Sequence, residues 1–332
     1  MSTRFQWLWK SNPNPWSVIN ESDEWKEYSD IDTEIIEGAL QQNLEQVELD
    51  QYIIDLKHLL QINKLDNHKQ RPIKRVSIAV EKHQCLRQER FCLPPSLLEQ
   101  SSPPKSFEDQ GRWISPKFVE EWTKRNPRIT LAARVEQAIQ GLLVEGEKLQ
   151  KLCEAKHIVK ELMNVKDKQW DVISKCCVKI YTRESFVYKL LNRTLREGDM
   201  TKVDTLGAFC DLLYNSPYSS QLKRNQYKGL VYRGCNLDPE QVEHYKQAIG
   251  KGAKEWLNFS STSKNRHLAE IYGNTLFIIN IPSKSQPLDI SAVSFFPEEE
   301  EVLFPASSCF EVEKVEYNSN EQKHYIYVRA LY

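Results

Sequence analysis

The chain has 332 residues, enough for two domains with buried cores, and its 45 basic and 46 acidic side chains leave a net charge of −1. Because the two signs are interspersed, no basic face argues for nucleic acid or an anionic membrane as a partner. Eight cysteines are scattered without a C-x-x-C pair or a His-rich spacing, so no metal site is expected.

Along the chain, Phe5, Trp7 and Trp9 alternate as a strand does, and Trp16, Trp25 and Tyr28 follow within a short span. Asp32 is a fitting N-cap for a helix over 33–40, whose apolar face is Ile35, Ile36, Ala39 and Leu40. Segments 47–49 and 52–56 read as a hairpin across Asp50-Gln51, and 59–62 and 72–78 as further strands. One helix on a half-open sheet is therefore predicted for residues 1–80. The texture over 81–106 changes to Gln, Ser and Pro, with Pro94-Pro95 and Pro103-Pro104, and reads as a linker carrying Cys85 and Cys92. Helices are then predicted over 116–124, 131–163, 168–181, 184–196 and 201–214. In the second of these Val135, Ile139, Leu142, Leu149, Leu152 and Ile158 recur near helical spacing, and Trp113, Trp122 and Trp170 are assigned to packing.

The last hundred residues are mostly strands, over 276–281, 302–304, 310–317 and 325–331. Asp238-Pro239 opens a helix reaching 249, where Gly250-Lys251-Gly252 breaks it. That Gly-x-Gly lacks the third Gly and a preceding strand, so it is no dinucleotide fingerprint. A short helix over 264–272 ends at Gly273, with His267 on its surface. The longest apolar run, 276–281, is strand-sized, and no signal peptide or membrane span is visible. A cytoplasmic protein with free thiols is expected, with secretion left open.

Three stretches carry candidate chemistry. Gly229-Leu230-Val231-Tyr232-Arg233-Gly234 is an apolar strand ending in a planar, phosphate-binding fork, backed by a residue that lets a ligand approach the backbone; alternatively, Arg-Gly is an ordinary exit from a strand. Trp256 to Ser263 runs into Ser260-Ser261-Thr262-Ser263, hydroxyls that orient a carboxylate or contact a sugar, or else cap the helix that follows. Glu298-Glu299-Glu300-Glu301 lies between Phe295-Phe296-Pro297 and Val302-Leu303-Phe304. A run of like charge usually marks a solvated loop. Here a buried strand follows at once, and if the extended backbone begins inside the run, Glu299 and Glu301 point one way and Glu298 and Glu300 the other. Two carboxylates on one wall suit a site where a cation develops and a proton is taken.

Taken together and in this order, Arg233, Phe259-Ser260-Ser261-Thr262-Ser263 and Glu299-Glu300-Glu301 resemble the Arg-Ser-Glu signature of the ADP-ribosyltransferase superfamily, especially its arginine-specific ecto-enzyme type. The likeness extends back through residues 181–192, which resemble the helical lobe ahead of the family's sheet. The resemblance implies NAD+ as co-substrate, held in a cleft between two small packed sheets by Arg233, Gly234, Ser261, Thr262, Ser263 and Glu301. It implies Glu301, Glu299, Ser261 and Arg233 as catalytic residues, and Phe296 with Glu299 for recognition of an arginine on a target protein.

Residues 1–80 are similar to the WWE domain, with Trp25, Tyr28 and Glu37 in its namesake stretch, Tyr52 to Leu56, Gln61, and Arg71-Pro72-Ile73-Lys74-Arg75. That resemblance implies binding of ADP-ribose, iso-ADP-ribose or poly-ADP-ribose through Tyr52, Gln61, Arg71 and Arg75, with some such domains serving protein contacts instead. The expected architecture is α+β: a WWE domain over 1–80, a linker over 81–106, and an ADP-ribosyltransferase domain over 107–332 with a helical lobe and two small sheets. Cleavage of the nicotinamide–ribose bond leaves an oxocarbenium-like sugar, which Glu301 would stabilise while Glu299 serves the acceptor guanidinium. The alternatives are an NAD glycohydrolase using water as acceptor, and a non-catalytic adaptor that binds ADP-ribose.

Overall fold

In the computed structural model, residues 3–16, 23–79, 108–109, 116–283 and 287–331 are described. The linker expected over 81–106, its two cysteines and Trp113 lie outside them.

The amino-terminal unit comprises β1 (Thr3–Lys10), β2 (Trp25–Glu27), α1 (Asp30–Gln41), β3 (Gln46–Glu48), β4 (Tyr52–Asp55), β5 (Leu60–Asn63) and β6 (Asp66–Ala79). Its strands form an antiparallel sheet in the order β2-β1-β6-β5-β4-β3. Trp7, Tyr28, Ile36, Ala39, Leu49, Ile54, Leu56 and Ile73 fill the core beneath α1. The helix begins earlier than its Asp suggests: the Ser29 hydroxyl accepts from the Asp32 amide at 3.0 Å, so Ser29 is the cap and Asp32 lies in the first turn. That extra turn carries Ile31, which is fully buried in the core of the following helices and not in the unit's own core.

Those helices are α2 (Lys117–Arg125), α3 (Leu131–Lys148), α4 (Leu152–Val165), α5 (Trp170–Thr182), α6 (Phe186–Glu197) and α7 (Val203–Tyr214), preceded by the short β7 (Glu108–Asp109). The single helix expected over 131–163 is two, because Gln150 turns into the left-handed region at φ 56 and redirects the chain. A regular helix would have kept the apolar stripe on one line; the break instead lets α3 and α4 pack as a hairpin around Val135, Ile139, Leu142, Ile158 and Leu162. Gly141 permits α7 to cross α3 closely, since a Cβ there would stand 1.7 Å from the Thr205 carbonyl oxygen.

The carboxy-terminal part contains β8 (Gly229–Cys235), α8 (Pro239–Ala248), β9 (Lys254–Trp256), β10 (Ser260–Ser263), α9 (Arg266–Glu270), β11 (Thr275–Ile281), β12 (Leu288–Asp289), β13 (Glu301–Phe304), β14 (Ser308–Asn318) and β15 (Lys323–Leu331). With β7 they make one hydrogen-bonded sheet ordered β12-β13-β10-β8-β11-β15-β14-β9-β7. The sheet folds back on itself. Trp256 on β9 meets Phe304 on β13 edge to face at 5.7 Å, although the two strands lie near opposite ends of the order. The two small packed sheets thus take the form of two facing halves of one curled sheet, closed over Trp256, Phe277, Phe304 and Phe310. Asp238 and Gln241 complete a capping box for α8, with Pro239 at its first position. Among the described residues six cysteines are free thiols, and no helix is long and apolar enough to cross a membrane.

Candidate active site

The three motif stretches are brought together by β8, β10 and β13, which are adjacent in the sheet. In the antiparallel register Ser263 stands opposite Glu301 and Ser261 opposite Leu303, so Ser261, Ser263 and Glu301 share one face. Tyr232, not Arg233, stands opposite Ser263 on the other neighbour. Arg233 reaches the motif through its guanidinium, which donates to the Ser261 carbonyl oxygen at 3.4 Å. Arg233 is only 8% exposed, and no carboxylate pairs with it among the described residues. A second cation lies nearby: burial, followed by the charge of Arg233, pushes the Arg196 guanidinium down from its ordinary range. Two guanidiniums that repel one another, Arg233 buried and Arg196 half-buried, make a place for a polyanion such as a pyrophosphate. Arg196 was not recognised from sequence, because on α6 it has the spacing of any charge on an outer helix face.

The hydroxyl run is a fully buried strand and caps nothing; Asn265 caps α9 instead. Thr262 Oγ1 donates to the Val302 carbonyl at 2.7 Å and Ser263 Oγ donates to the Glu299 carbonyl at 2.8 Å. These two hydroxyls therefore hold the acidic segment. Gly234 is needed for a different reason than ligand approach, since a Cβ would stand 2.0 Å from the Ala269 carbonyl oxygen of α9.

The acidic run alternates in burial, but not through a strand. Residues Pro297–Glu299 form a 3-10 turn, Glu300 adopts φ 46, and β13 begins only at Glu301. Glu299 is 1% and Glu301 0% exposed, whereas Glu298 is half-buried and Glu300 exposed. The turn is over-determined by the Ser263 bond to Glu299 and by the Lys264 amide, which donates to the Glu300 carbonyl at 3.1 Å. Phe296 is buried immediately before the turn and meets Phe295 edge to face at 5.2 Å. His267 is exposed on α9, away from these contacts.

In the amino-terminal unit, the register sets Gln61 opposite Arg71 and Tyr52 opposite Asn63, which puts Tyr52, Gln61 and Arg71 on one face. The polar atoms of Gln61 and Arg71 are engaged within the unit. Gln61 accepts from the Tyr28 hydroxyl at 2.5 Å, and Arg71 donates to the carbonyls of Lys10 and Asn12, both at 2.8 Å. Arg75 forms a forked pair with Glu37 and covers the Phe5 ring at 3.4 Å. One cluster with donors within 4.8 Å of one another, Glu34, His157 and Glu161, was not foreseen, since its members come from both units; Arg183 pairs with both of its carboxylates.

A curled sheet behind a helical lobe, with Arg and Ser-Thr-Ser on adjacent strands and Glu-x-Glu leading into the next, defines an ADP-ribosyltransferase. The ADP-ribosyltransferase exoenzyme model matches residues 167–332 and the WWE domain model residues 5–75, and the chain belongs to the ADP-ribosyltransferase exoenzyme family. A Mycobacterium avium (strain 104) protein named "Putative NAD(+)--arginine ADP-ribosyltransferase Mav" is 35% identical over 132 residues, which is 38% of this chain but 14% of that protein. Among solved structures, the type III effector XopAI of Xanthomonas axonopodis pv. citri aligns at 17% identity over 65% of this chain and 97% of its own, with a TM-score of 0.48. The ADP-ribosyltransferase HopU1 of Pseudomonas syringae pv. tomato DC3000 aligns at 19% identity over 66% of this chain and 98% of its own, with a TM-score of 0.41.

Proposed function

We propose that this protein transfers ADP-ribose from NAD to the guanidinium of arginine on target proteins, with release of nicotinamide. The observation that supports this most is the burial of Glu299 and Glu301 within one acidic run, on the sheet that also carries the buried Arg233. Burying two carboxylates costs several kcal/mol each unless cations or donors compensate. Two carboxylates held in place so close to one another would add to whatever the protein itself supplies by attracting a cationic sugar and a cationic acceptor.

In this reading Arg233 binds the NAD pyrophosphate, with Arg196 adding to the positive field. The Gly234 backbone faces the nicotinamide amide, and Ser261, Thr262 and Ser263 order the strand that presents the ribose. Nicotinamide leaves with the electron pair of its bond to the ribose anomeric carbon, and Glu301 stabilises the resulting cation through the 2′-hydroxyl. A guanidinium nitrogen, oriented by Glu299 against Phe296, bonds to that carbon and yields its proton to Glu299. That step needs a base held against the substrate, because free arginine titrates above about 12.

The domains are taken as 1–80, 81–106 and 107–332. ADP-ribose, as a monomer or polymer, is proposed to enter the amino-terminal unit beside Tyr52 and Gln61, displacing the internal bonds of Arg71 and Arg75. The test is incubation of the full chain with labelled NAD and an arginine-containing peptide, counting nicotinamide and peptide label. Label on the guanidino group in step with nicotinamide supports the transferase reading. Nicotinamide release without label indicates a glycohydrolase, and neither indicates an adaptor, for which calorimetry with ADP-ribose is the direct measurement.

A further inference from the structure

The amino-terminal unit is joined to the helical lobe through several polar contacts, one of which reaches a buried arginine. Asp50, in the β3–β4 turn, accepts from the Cys153 amide at 2.6 Å and the Glu154 amide at 3.4 Å, capping α4 across the interface where Lys151 offers no side-chain cap. Asp30 on α1 accepts from the Glu184 amide at 2.8 Å. Glu34, one turn further along α1, meets His157 at 2.9 Å and Arg183 at 3.2 Å. Burial pushes the Glu34 carboxyl up, but His157 and Arg183 outweigh it and hold it below the usual carboxylate range. Arg183 is 2% exposed and pairs with Glu161 of α4 as well, so one carboxylate from each unit fixes it.

The other face of Arg183 lies on the candidate acceptor loop. Its guanidinium carbon sits 5.1 Å from the centroid of the Phe295 ring, and the Phe295 amide donates to Thr182 Oγ1 at 3.0 Å. The end of α5 thus holds both the backbone and the ring of Phe295. Phe295 in turn packs on Phe296, which leads directly into the turn carrying Glu299. Phe295 also lines a cavity of about 290 Å³ together with Phe5, Glu37 and Gln41 of the amino-terminal unit.

We infer that the WWE unit is a fixed part of the acceptor site: Glu34 sets Arg183, Arg183 sets Phe295, and the loop so held presents Phe296 and Glu299 to the incoming guanidinium. Arg183 is a positioning residue and touches no reacting atom. This rests on the acceptor-loop reading above, while NAD cleavage at Arg233 and Glu301 does not pass through the relay. Loosening the relay should therefore weaken acceptor use and spare hydrolysis of NAD.

The test compares the full chain with Glu34→Gln, which keeps shape but removes the charge by which the amino-terminal unit fixes Arg183, and with Arg183→Lys, which keeps the charge but loses the planar face over Phe295. An arginine peptide and water serve as competing acceptors, and amide exchange over 293–301 is followed by mass spectrometry. Glu34→Gln should raise the KM for the peptide about tenfold, leave nicotinamide release in its absence within about twofold, and speed exchange over 293–301. Arg183→Lys should rescue exchange only in part. Unchanged peptide KM, parallel loss of both activities, or unchanged exchange over 293–301 overturns the inference. If the wild-type chain labels no arginine, the acceptor reading fails on its own account, and the exchange data still decide whether Glu34 governs the loop.

Discussion

Glu154 gives the stability of this protein a pH dependence that a single substitution should remove. The side chain is 2% exposed at the start of α4, and its carboxylate accepts from the Phe186 amide at 2.7 Å. Burial dominates its titration and pushes it up to about 7 from 4.5; Lys151, at 3.4 Å and partly in solvent, does not offset this. Below pH about 4.5 the group is protonated in both folded and unfolded chains and makes no difference. As pH rises toward 7 the unfolded chain ionises first, so folded stability falls, and above 7 the loss is constant. Titration moved from 4.5 to about 7 amounts, at ~1.36 kcal/mol per pH unit, to about 3 kcal/mol. Glu154→Gln keeps an acceptor for Phe186 and removes the ionisation. Calorimetric midpoints measured from pH 5 to 8 should therefore fall more steeply for the wild type than for the variant, by about 5 °C or more over that span. Parallel curves for the two proteins would refute the reasoning.

Two further outcomes follow from named contacts. Asp50→Ala removes the cap that the amino-terminal unit supplies to α4 and should lower stability by about 1 kcal/mol, read as a drop in thermal midpoint at unchanged NAD turnover. Glu301→Gln keeps shape but not charge at the fully buried start of β13. It should cost on the order of a hundredfold in both arginine labelling and nicotinamide release while the chain remains folded by circular dichroism.

Local patterns were legible where the chain's chemistry is local. The strands bearing Arg233, Ser261 and Glu301, the Asp238-Pro239 helix start and the packing role of Trp122 all rest on near neighbours or simple periodicity. The break at Gln150 was hidden, because residues 149–151 contain neither Gly nor Pro and keep the apolar spacing of one helix. Ser29 and Asp32 are both competent caps, and only the burial of Ile31 against the other unit explains the earlier start. Glu299 and Glu301 were foreseen as a pair on an argument from strand alternation, whereas a 3-10 turn and a left-handed Glu300 bury them. The contacts of Asp50 with Cys153 and of Asp30 with Glu184 span 103 and 154 residues, and spacing in sequence carries no signal at such separations.

The central claim is that the two buried carboxylates divide the work, Glu301 facing the sugar cation and Glu299 only the acceptor. The most direct measurement is arginine labelling and nicotinamide release on Glu299→Gln, which keeps hydrogen bonding at that position but removes the charge that orients a guanidinium and takes its proton. The account predicts that labelling is lost while NAD hydrolysis stays close to the wild-type rate. Parallel loss of both activities, or labelling that survives unchanged, would contradict it.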